Sequence, residues 1–534
     1  MPLQPPISCG DRAAPVSIVL GDFVYIDGGL IADGQNSSGN FPYRAVNSTL
    51  SISLKDSWTN STVDVKTIFK ESQRSQMNSQ GIWRDPTSKI FYVWGGDISF
   101  NQKGPPEFLW TFTGDGDGGG SWSREVSNPT DLTGFVRTRE AAFAQSADTA
   151  YYLGGFAGFY SESAIEFRNR TMPVPGMLTI DMKTRSFKNI STTPNRFGTF
   201  GTFKGGAMQF VPFGSEGLLL VLGGWEAPVT TNDPGEWFPM DFNNLTIYDP
   251  KTDKWHTQRT QGEVPSPREK FCAVGVAGPN NTYDIFLYGG RYAVQKGTPT
   301  DEVYVLSLPG FVFFKASSEL STKRAGHACV GVGRRQVLSI GGLDEGGTNF
   351  QSWLMKDPWA LGLGVFDMTQ MRWTDGYDSK AASYEAPDVV KQWYDGGNLA
   401  SVKWSNDEVR ELFAQTASNA PTNAPGTSPS SSSSPGGSDS KPVGAIAGGV
   451  VGGVVGLALI VGLVLFFLRR KKRRHAAVSQ NEPPAPMKHA SDATADTAPQ
   501  THEVHADYYN PIELPESQGP PRYAPVPTRH EMAG

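Results

Sequence analysis

The chain has 534 residues and carries 47 Lys and Arg against 53 Asp and Glu, a formal net charge of −6. With 60 Gly, 39 Pro and 19% charged residues, it suits many short strands joined by turns and leaves little room for long helices. Residues 469–534 hold nine basic and eight acidic residues, so the rest is mildly acidic and lacks the basic, aromatic-interleaved stripe of a nucleic-acid binder; nucleic acid is set aside.

Residues 1–10 form an N-terminal segment, and Met1 to Ser17 contains no apolar stretch of the length that a secretory signal needs. The export argued below therefore predicts a missing upstream signal exon. From there a short apolar, β-rich run ending in Gly-Gly recurs six times: FVYIDGG (Gly28, Gly29), FYVWGG (Gly95, Gly96), YYLGG (Gly154, Gly155), LLLVLGG (Gly223, Gly224), IFLYGG (Gly289, Gly290) and VLSIGG (Gly341, Gly342). Each reads as a strand that stops abruptly, because paired glycines accept positive φ and let another backbone approach. An aromatic follows each pair after a delay of 23 to 32 residues, at Trp58, Trp122, Phe187, Trp255, Phe313 and Trp373. Alternating strands such as LTIYDPKTDKW precede it, and Arg-led strands such as SPREKFCAVGV stand ahead of several pairs. One period therefore supplies four strands.

This combination resembles the kelch repeat and covers roughly residues 10 to 380. The resemblance implies an all-β fold, a propeller of four-stranded blades over residues 11–412. Six copies imply six blades. Galactose-oxidase-like members have seven, and SYEAPDVVKQWYDGGN (383–398) is the candidate for the additional strands. The pairs are spaced 67, 59, 69, 66 and 52 residues apart, beyond the usual period of about 50, so the surplus forms loops on one face, where binding is expected.

Beyond the repeats, residues 413–442 are Ser-, Pro- and Gly-rich and read as an extended stalk. Val443 to Leu468 is an uncharged, mostly apolar run of 26 residues, long enough to cross a bilayer, and residues 469–474 are six consecutive Arg and Lys that hold its cytoplasmic end. Residues 475–534 are polar and Pro-rich and read as a disordered cytoplasmic tail. The upstream part then lies outside the cell. Sequons at Asn36, Asn47, Asn60, Asn169, Asn189, Asn244 and Asn280, with none in the tail, agree with export and glycosylation. Gly444, Gly448, Gly452 and Gly456 recur every four residues and form a smooth helix face suited to a homodimer in the membrane, which would bring together tails carrying Tyr508 and Tyr509. The whole architecture resembles the kelch-containing, wall-associated surface proteins of filamentous fungi.

The chemistry-bearing residues are sparse. Cys9, Cys272 and Cys329 cannot all pair within one chain; Cys272 and Cys329 lie in apolar runs and read first as buried free thiols, with one disulfide or a reactive thiol as alternatives. A galactose-oxidase-like copper centre, as the family resemblance would have it, takes two His and two Tyr, one Tyr cross-linked to Cys. Only His256 and His327 precede the membrane run, at different points of the repeat, so no metal or other cofactor is assigned. Asp115 and Asp117 in GDGDGGG are too few for calcium, and Glu162, Glu166 and Arg168 read as surface charge. The expectation is a non-catalytic, membrane-anchored binding or scaffold protein whose loops take a protein or wall polysaccharide, with Trp225, Trp237, Phe238, Trp353 and Trp359 as stacking candidates. An extracellular carbohydrate oxidase and a surface sensor signalling through its tail are the alternatives.

Overall fold

The computed structural model describes residues 12–417 except 33–42, 71–73, 99–102, 107, 125–133, 169–170, 193–200, 229–236, 294–296, 318 and 345–356. Residues 418–442 of the stalk, the apolar run, Gly444, Gly448, Gly452 and Gly456, and the tail lie outside these residues, as do Asn36 and Asn169; residues 413–417, expected in the stalk, pack on the propeller instead. Among the described residues no helix is long and apolar enough to cross a membrane.

Six sheets, each built on four antiparallel strands and two of them with a short fifth strand, follow one another along the chain. Blade 1 comprises Arg12–Leu20, Phe23–Ala32, Ser48–Ser53 and Val65–Phe69, and blade 2 Gly81–Arg84, Ile90–Trp94, Trp110–Gly114 and Gly120–Arg124. Blade 3 is Ala142–Gln145, Thr149–Leu153, Met177–Asp181 and Phe187–Ile190; blade 4 is Ala207–Val211, Leu218–Leu222, Asn244–Asp249 and Lys254–Arg259. Blade 5 is Cys272–Ala277, Tyr283–Tyr288, Val303–Leu308 and Val312–Lys315, and blade 6 Ala328–Val332, Gln336–Ile340, Leu363–Asp367 and Arg372–Thr374. The first strand of each blade touches the first strands of both neighbours, and blade 6 touches blade 1, so the ring is closed. The chain forms a six-bladed β-propeller.

Burial explains the strand patterns. Second strands sit in mid-blade with a neighbouring blade on each side, so Leu218–Leu222 and Gln336–Ile340 are buried throughout, the former as an unbroken apolar run. Outer strands meet solvent on one face and alternate, as in Lys254–Arg259. Trp122, Phe313 and Trp373 are buried on fourth strands: Trp122 stands edge-on to Phe91 and Phe112 of its own blade, and Phe313 edge-on to Phe242 just ahead of the third strand of blade 4. Phe187 and Trp255 hold the same strand position, half-buried. Each such ring contributes roughly 1.5–3 kcal/mol by burial.

Blade 1 departs from the predicted pattern. Trp58 precedes its fourth strand and instead pairs with Tyr377 in a two-stranded ribbon, Trp58–Thr59 against Gly376–Tyr377, which joins blade 1 to the end of blade 6. Its second strand also runs on through Gly28 and Gly29 to Ala32, because Leu30 and Ile31 find partners in both the first strand and Tyr43–Ala45. A buried carboxylate fastens blade 1 to blade 2. Asp27 accepts from Thr49 at 2.7 Å and meets Arg74 at 2.8 Å and Lys70 at 3.0 Å, and Thr49 accepts from the Trp122 indole at 3.0 Å. Burial alone would raise the Asp27 pKa, but Arg74 and Lys70 outweigh it and hold the carboxyl below its usual range.

The segment 383–398 supplies no seventh blade. It forms helix α1, Asp388–Asp395, followed by α2, Asp407–Phe413, whose N-cap Asn406 accepts from the Val409 amide at 2.8 Å. Tyr394 accepts from the Gly310 amide, and Phe413 packs on Phe213 and Phe311. Gly310 and Phe213 lie at hairpin turns, so this extension covers the short-hairpin face at blades 4 and 5, and its packing runs to Ala417, whose amide meets the Pro212 carbonyl.

The cysteines also differ from the first reading. Cys272 and Cys329 form a disulfide, with Cα atoms 5.6 Å apart, between the innermost strands of blades 5 and 6. The two strands run side by side, so the sulfurs meet although 57 residues separate them in sequence.

The Gly-Gly pairs are contact points between blades. The amide of the second glycine donates to a carbonyl of the next blade: Gly96 to Thr138, Gly155 to Phe203, Gly224 to Arg268, Gly290 to Arg324 and, across the seam, Gly342 to Arg12 at 2.7 Å. A Cβ on Gly341 would stand 2.1 Å from the Arg12 carbonyl oxygen, and both residues of this pair have positive φ, 64° and 91°. Gly341→Val should therefore open the blade 6 to blade 1 seam. We expect a melting temperature lower by several degrees or failure to fold, read by circular dichroism, whereas Gly21→Ala, on an open turn with nothing within 4 Å, should cost far less.

Candidate functional site

Chain reversal within each blade sends two kinds of connection to the same face: those from second to third strands and those from a fourth strand to the next blade. These are the long segments, and they surround the propeller axis opposite the short hairpins. At the root of this face six residues, one per blade, adopt positive φ: Ala14, Ser79, Glu140, Gly205, Lys270 and Gly326, between 53° and 72°. Five main-chain hydrogen bonds link these six residues in an arc that runs from Glu140 through blades 4, 5, 6 and 1 to Ser79. Ala14 donates to Gly326, Gly326 to Lys270, Lys270 to Gly205, Gly205 to Glu140, and Ser79 to Ala14, at 2.7 to 3.1 Å.

Two residues before this collar, an Arg or Thr closes the clamp in four of the six blades, with Met77 and Phe203 in the other two. Arg12 donates to the Gly28 carbonyl at 3.0 Å, Thr138 to Gly154 at 2.7 Å, Arg268 to Gly289 at 3.3 Å and Arg324 to Gly341. Arg268 also pairs with Glu302 at 2.7 Å and Arg324 with Asp357 at 3.1 Å. The Arg of the repeat thus serves the scaffold.

One residue before the collar, the chain pairs with the residue that follows the Gly-Gly of the same blade. From blade 1 to blade 6 the pairs are Ala13 with Leu30, Asn78 with Asp97, Arg139 with Phe156, Lys204 with Trp225, Glu269 with Arg291, and Ala325 with Leu343. The mouth is therefore apolar at blades 6 and 1 and charged and aromatic at blades 2 to 5. Arg139 meets Asp97 at 2.8 Å, Lys270 meets Glu140 at 3.3 Å, and Arg291 meets Glu269 at 2.8 Å. Burial pushes the Asp97 pKa up despite Arg139. At Glu140 burial is outweighed by Lys270, then Arg139, Lys204 and Arg291, and the carboxyl is held well below its usual range.

Lys204 acts on Glu140 through its charge but makes no direct ion pair with a carboxylate among the described residues. Its ammonium instead lies 4.2 Å from the centre of the Trp237 ring and 5.1 Å from that of Phe156, and Arg139 covers Phe156 at 4.4 Å. Phe156 and Trp237 stand edge to face at 6.4 Å. Trp237 is half-buried, and the adjoining Phe238 is 40% exposed. The arrangement offers a cation above an aromatic shelf, suited to an anionic or sugar-ring ligand.

Of the stacking candidates, Trp237 and Phe238 lie at this mouth and Trp225 flanks it through its main chain. Trp359 is structural: it packs on Trp373 at 4.6 Å and under Arg324 at 4.0 Å. Trp353 lies outside the described residues. Asp115 caps a hairpin by accepting from the Asp117 and Gly119 amides, and Asp117 stands near Lys55. Glu162 is buried and accepts from the Arg137 amide, while Glu166 pairs with Lys103 at the surface. Arg168 lies over Phe159. His256 sits on the outermost strand of blade 4, whereas His327 directly precedes the innermost strand of blade 6, so the fold does not bring them together. Among the sequons, Asn47, Asn189, Asn244 and Asn280 are exposed and Asn60 is half-buried. The residues that the sequence reading missed, Asp97, Arg139, Glu140, Phe156, Lys204, Lys270 and Arg291, occupy two fixed places in the repeat: directly after Gly-Gly, and just ahead of the first strand. Compared with known proteins, the chain matches no protein-family model and no curated protein.

Proposed function

We propose that this chain is a kelch-type surface recognition protein, anchored by the apolar run at 443–468, and that its propeller binds a carboxylate-bearing carbohydrate polymer at the long-loop mouth of blades 3 and 4. The single observation that carries the reading is Lys204, held over Trp237 and Phe156 without a direct ion pair to a carboxylate among the described residues. Cation and ring faces together match a uronic acid, whose carboxylate meets the ammonium while its C–H face stacks on the indole. The Arg and Gly-Gly clamps recurring around the ring support the kelch assignment.

Binding is read by calorimetry with purified full-length protein and acidic or neutral oligosaccharides. Lys204→Ala should weaken the acidic ligand about tenfold, a loss of ~1.4 kcal/mol, and spare neutral ones, whereas Trp237→Ala should weaken both. Unchanged affinity in both variants would remove the site from this role.

The disulfide and the exposed Asn47, Asn189, Asn244 and Asn280 support an exported propeller, since such bonds persist in oxidising compartments. In sealed cells, external protease should reach the propeller and spare the tail at 475–534. Digestion of the tail with the propeller protected would reverse the proposed orientation.

A further inference from the structure

Between blades 5 and 6 three soft-metal donors converge. The Cys272 and Cys329 sulfurs and a His327 ring nitrogen all lie within 4.8 Å of one another. His327 and Cys329 are two apart along an extended chain, so both side chains leave the same face. The imidazole is 7% exposed, and neither of its nitrogens makes a hydrogen bond. Its space is carved by glycines: a Cβ on Gly289 would come within 2.9 Å of the His327 Cε1, and one on Gly342 within 2.7 Å of its Cβ. Tyr288 stands edge-on to the ring at 4.9 Å. A buried polar ring without a partner, aimed at two sulfurs, is the donor pattern of a thiolate–imidazole centre.

We propose that Cys272, Cys329 and His327 form a redox-gated site for a soft d10 cation such as Zn2+, closed by the disulfide and opened by a dithiol reductant. Cys329 is half-buried and the more accessible sulfur. A thiolate of the reductant attacks Cys329 Sγ, a mixed disulfide forms, and the Cys272 sulfur leaves with the bonding electron pair. The second thiolate of the reductant then displaces Cys329, so the dithiol is oxidised to its own disulfide and the protein disulfide is reduced to two thiols. On binding, both thiols release their protons to solvent and the imidazole gives a lone pair. Two thiolates neutralise the dication, which suits a shell built from Val274, Tyr288 and Trp373.

The test uses full-length protein with Cys9→Ser, titrated with Co2+ alone before and after treatment with a dithiol. The expected result is one ion per chain, with a sulfur-to-cobalt charge-transfer band, only after reduction and displaced by Zn2+. Cys329→Ser should abolish that band, and His327→Asn should keep thiolate absorption while raising the dissociation constant about tenfold or more. The proposal is overturned if the reduced chain takes up no stoichiometric cobalt, if His327→Asn binds as tightly as the parent, or if circular dichroism shows that reduction unfolds the propeller.

Discussion

The fold depends on closing a ring of six blades whose inner rim is tied by an arc of main-chain hydrogen bonds around the axis. Each of six blades contributes one residue in the left-handed conformation, from Ala14 to Gly326, and five main-chain hydrogen bonds join them. Four of the six are not glycine, and for these the conformation costs on the order of 1–2 kcal/mol each. A net gain of ~1 kcal/mol per hydrogen bond roughly offsets that cost. The collar therefore adds little net stability. It fixes blade count and tilt, while the apolar layers between blades supply the cohesion.

Closure of this kind differs from one in which the first and last strands share a blade. Here every blade is made from consecutive residues, and the seam is held by contacts across it. These are the Gly342 amide on Arg12, Ala14 on Gly326, the Trp58–Thr59 ribbon against Gly376–Tyr377, and the Tyr377 hydroxyl on the Leu54 carbonyl. Trp58 leaves the blade-aromatic role because the seam needs a partner for Tyr377. With the scaffold secured by main chain and by clamping Arg residues, the positions just before the collar and just after Gly-Gly are released from packing duty at blades 2 to 5. There the sequence places charge and aromatics, while blades 6 and 1 keep Ala and Leu. The proposed recognition site rests on that asymmetry.

The blades were legible because two periodicities coincide: unbroken apolar runs where a strand lies between neighbouring blades, and paired glycines where one blade meets the next. Gly28 and Gly29 show the limit of that reading, since the same dipeptide is continued as strand once Tyr43–Ala45 offers a partner. The 383–398 segment misled for a similar reason. Val390, Trp393 and Tyr394 are apolar enough for a strand, yet they fit the helix that packs under blades 5 and 6. The disulfide was invisible because strand adjacency, not spacing, brings Cys272 to Cys329. Lys204 was overlooked because its significance lies in lacking a directly paired carboxylate, a property of the assembled ring and of no single segment.

The ring itself is the claim to test first. Amide hydrogen exchange on the folded full-length protein, read with fragmentation fine enough to isolate Ala14, Gly205, Lys270 and Gly326, measures it directly. The account predicts that these amides exchange together and only through global unfolding, with the seam donor Ala14 as slow as the others. Fast exchange at Ala14 and Gly342, with Gly205 and Lys270 still protected, would show an open seam between blades 6 and 1 and contradict closure by the collar.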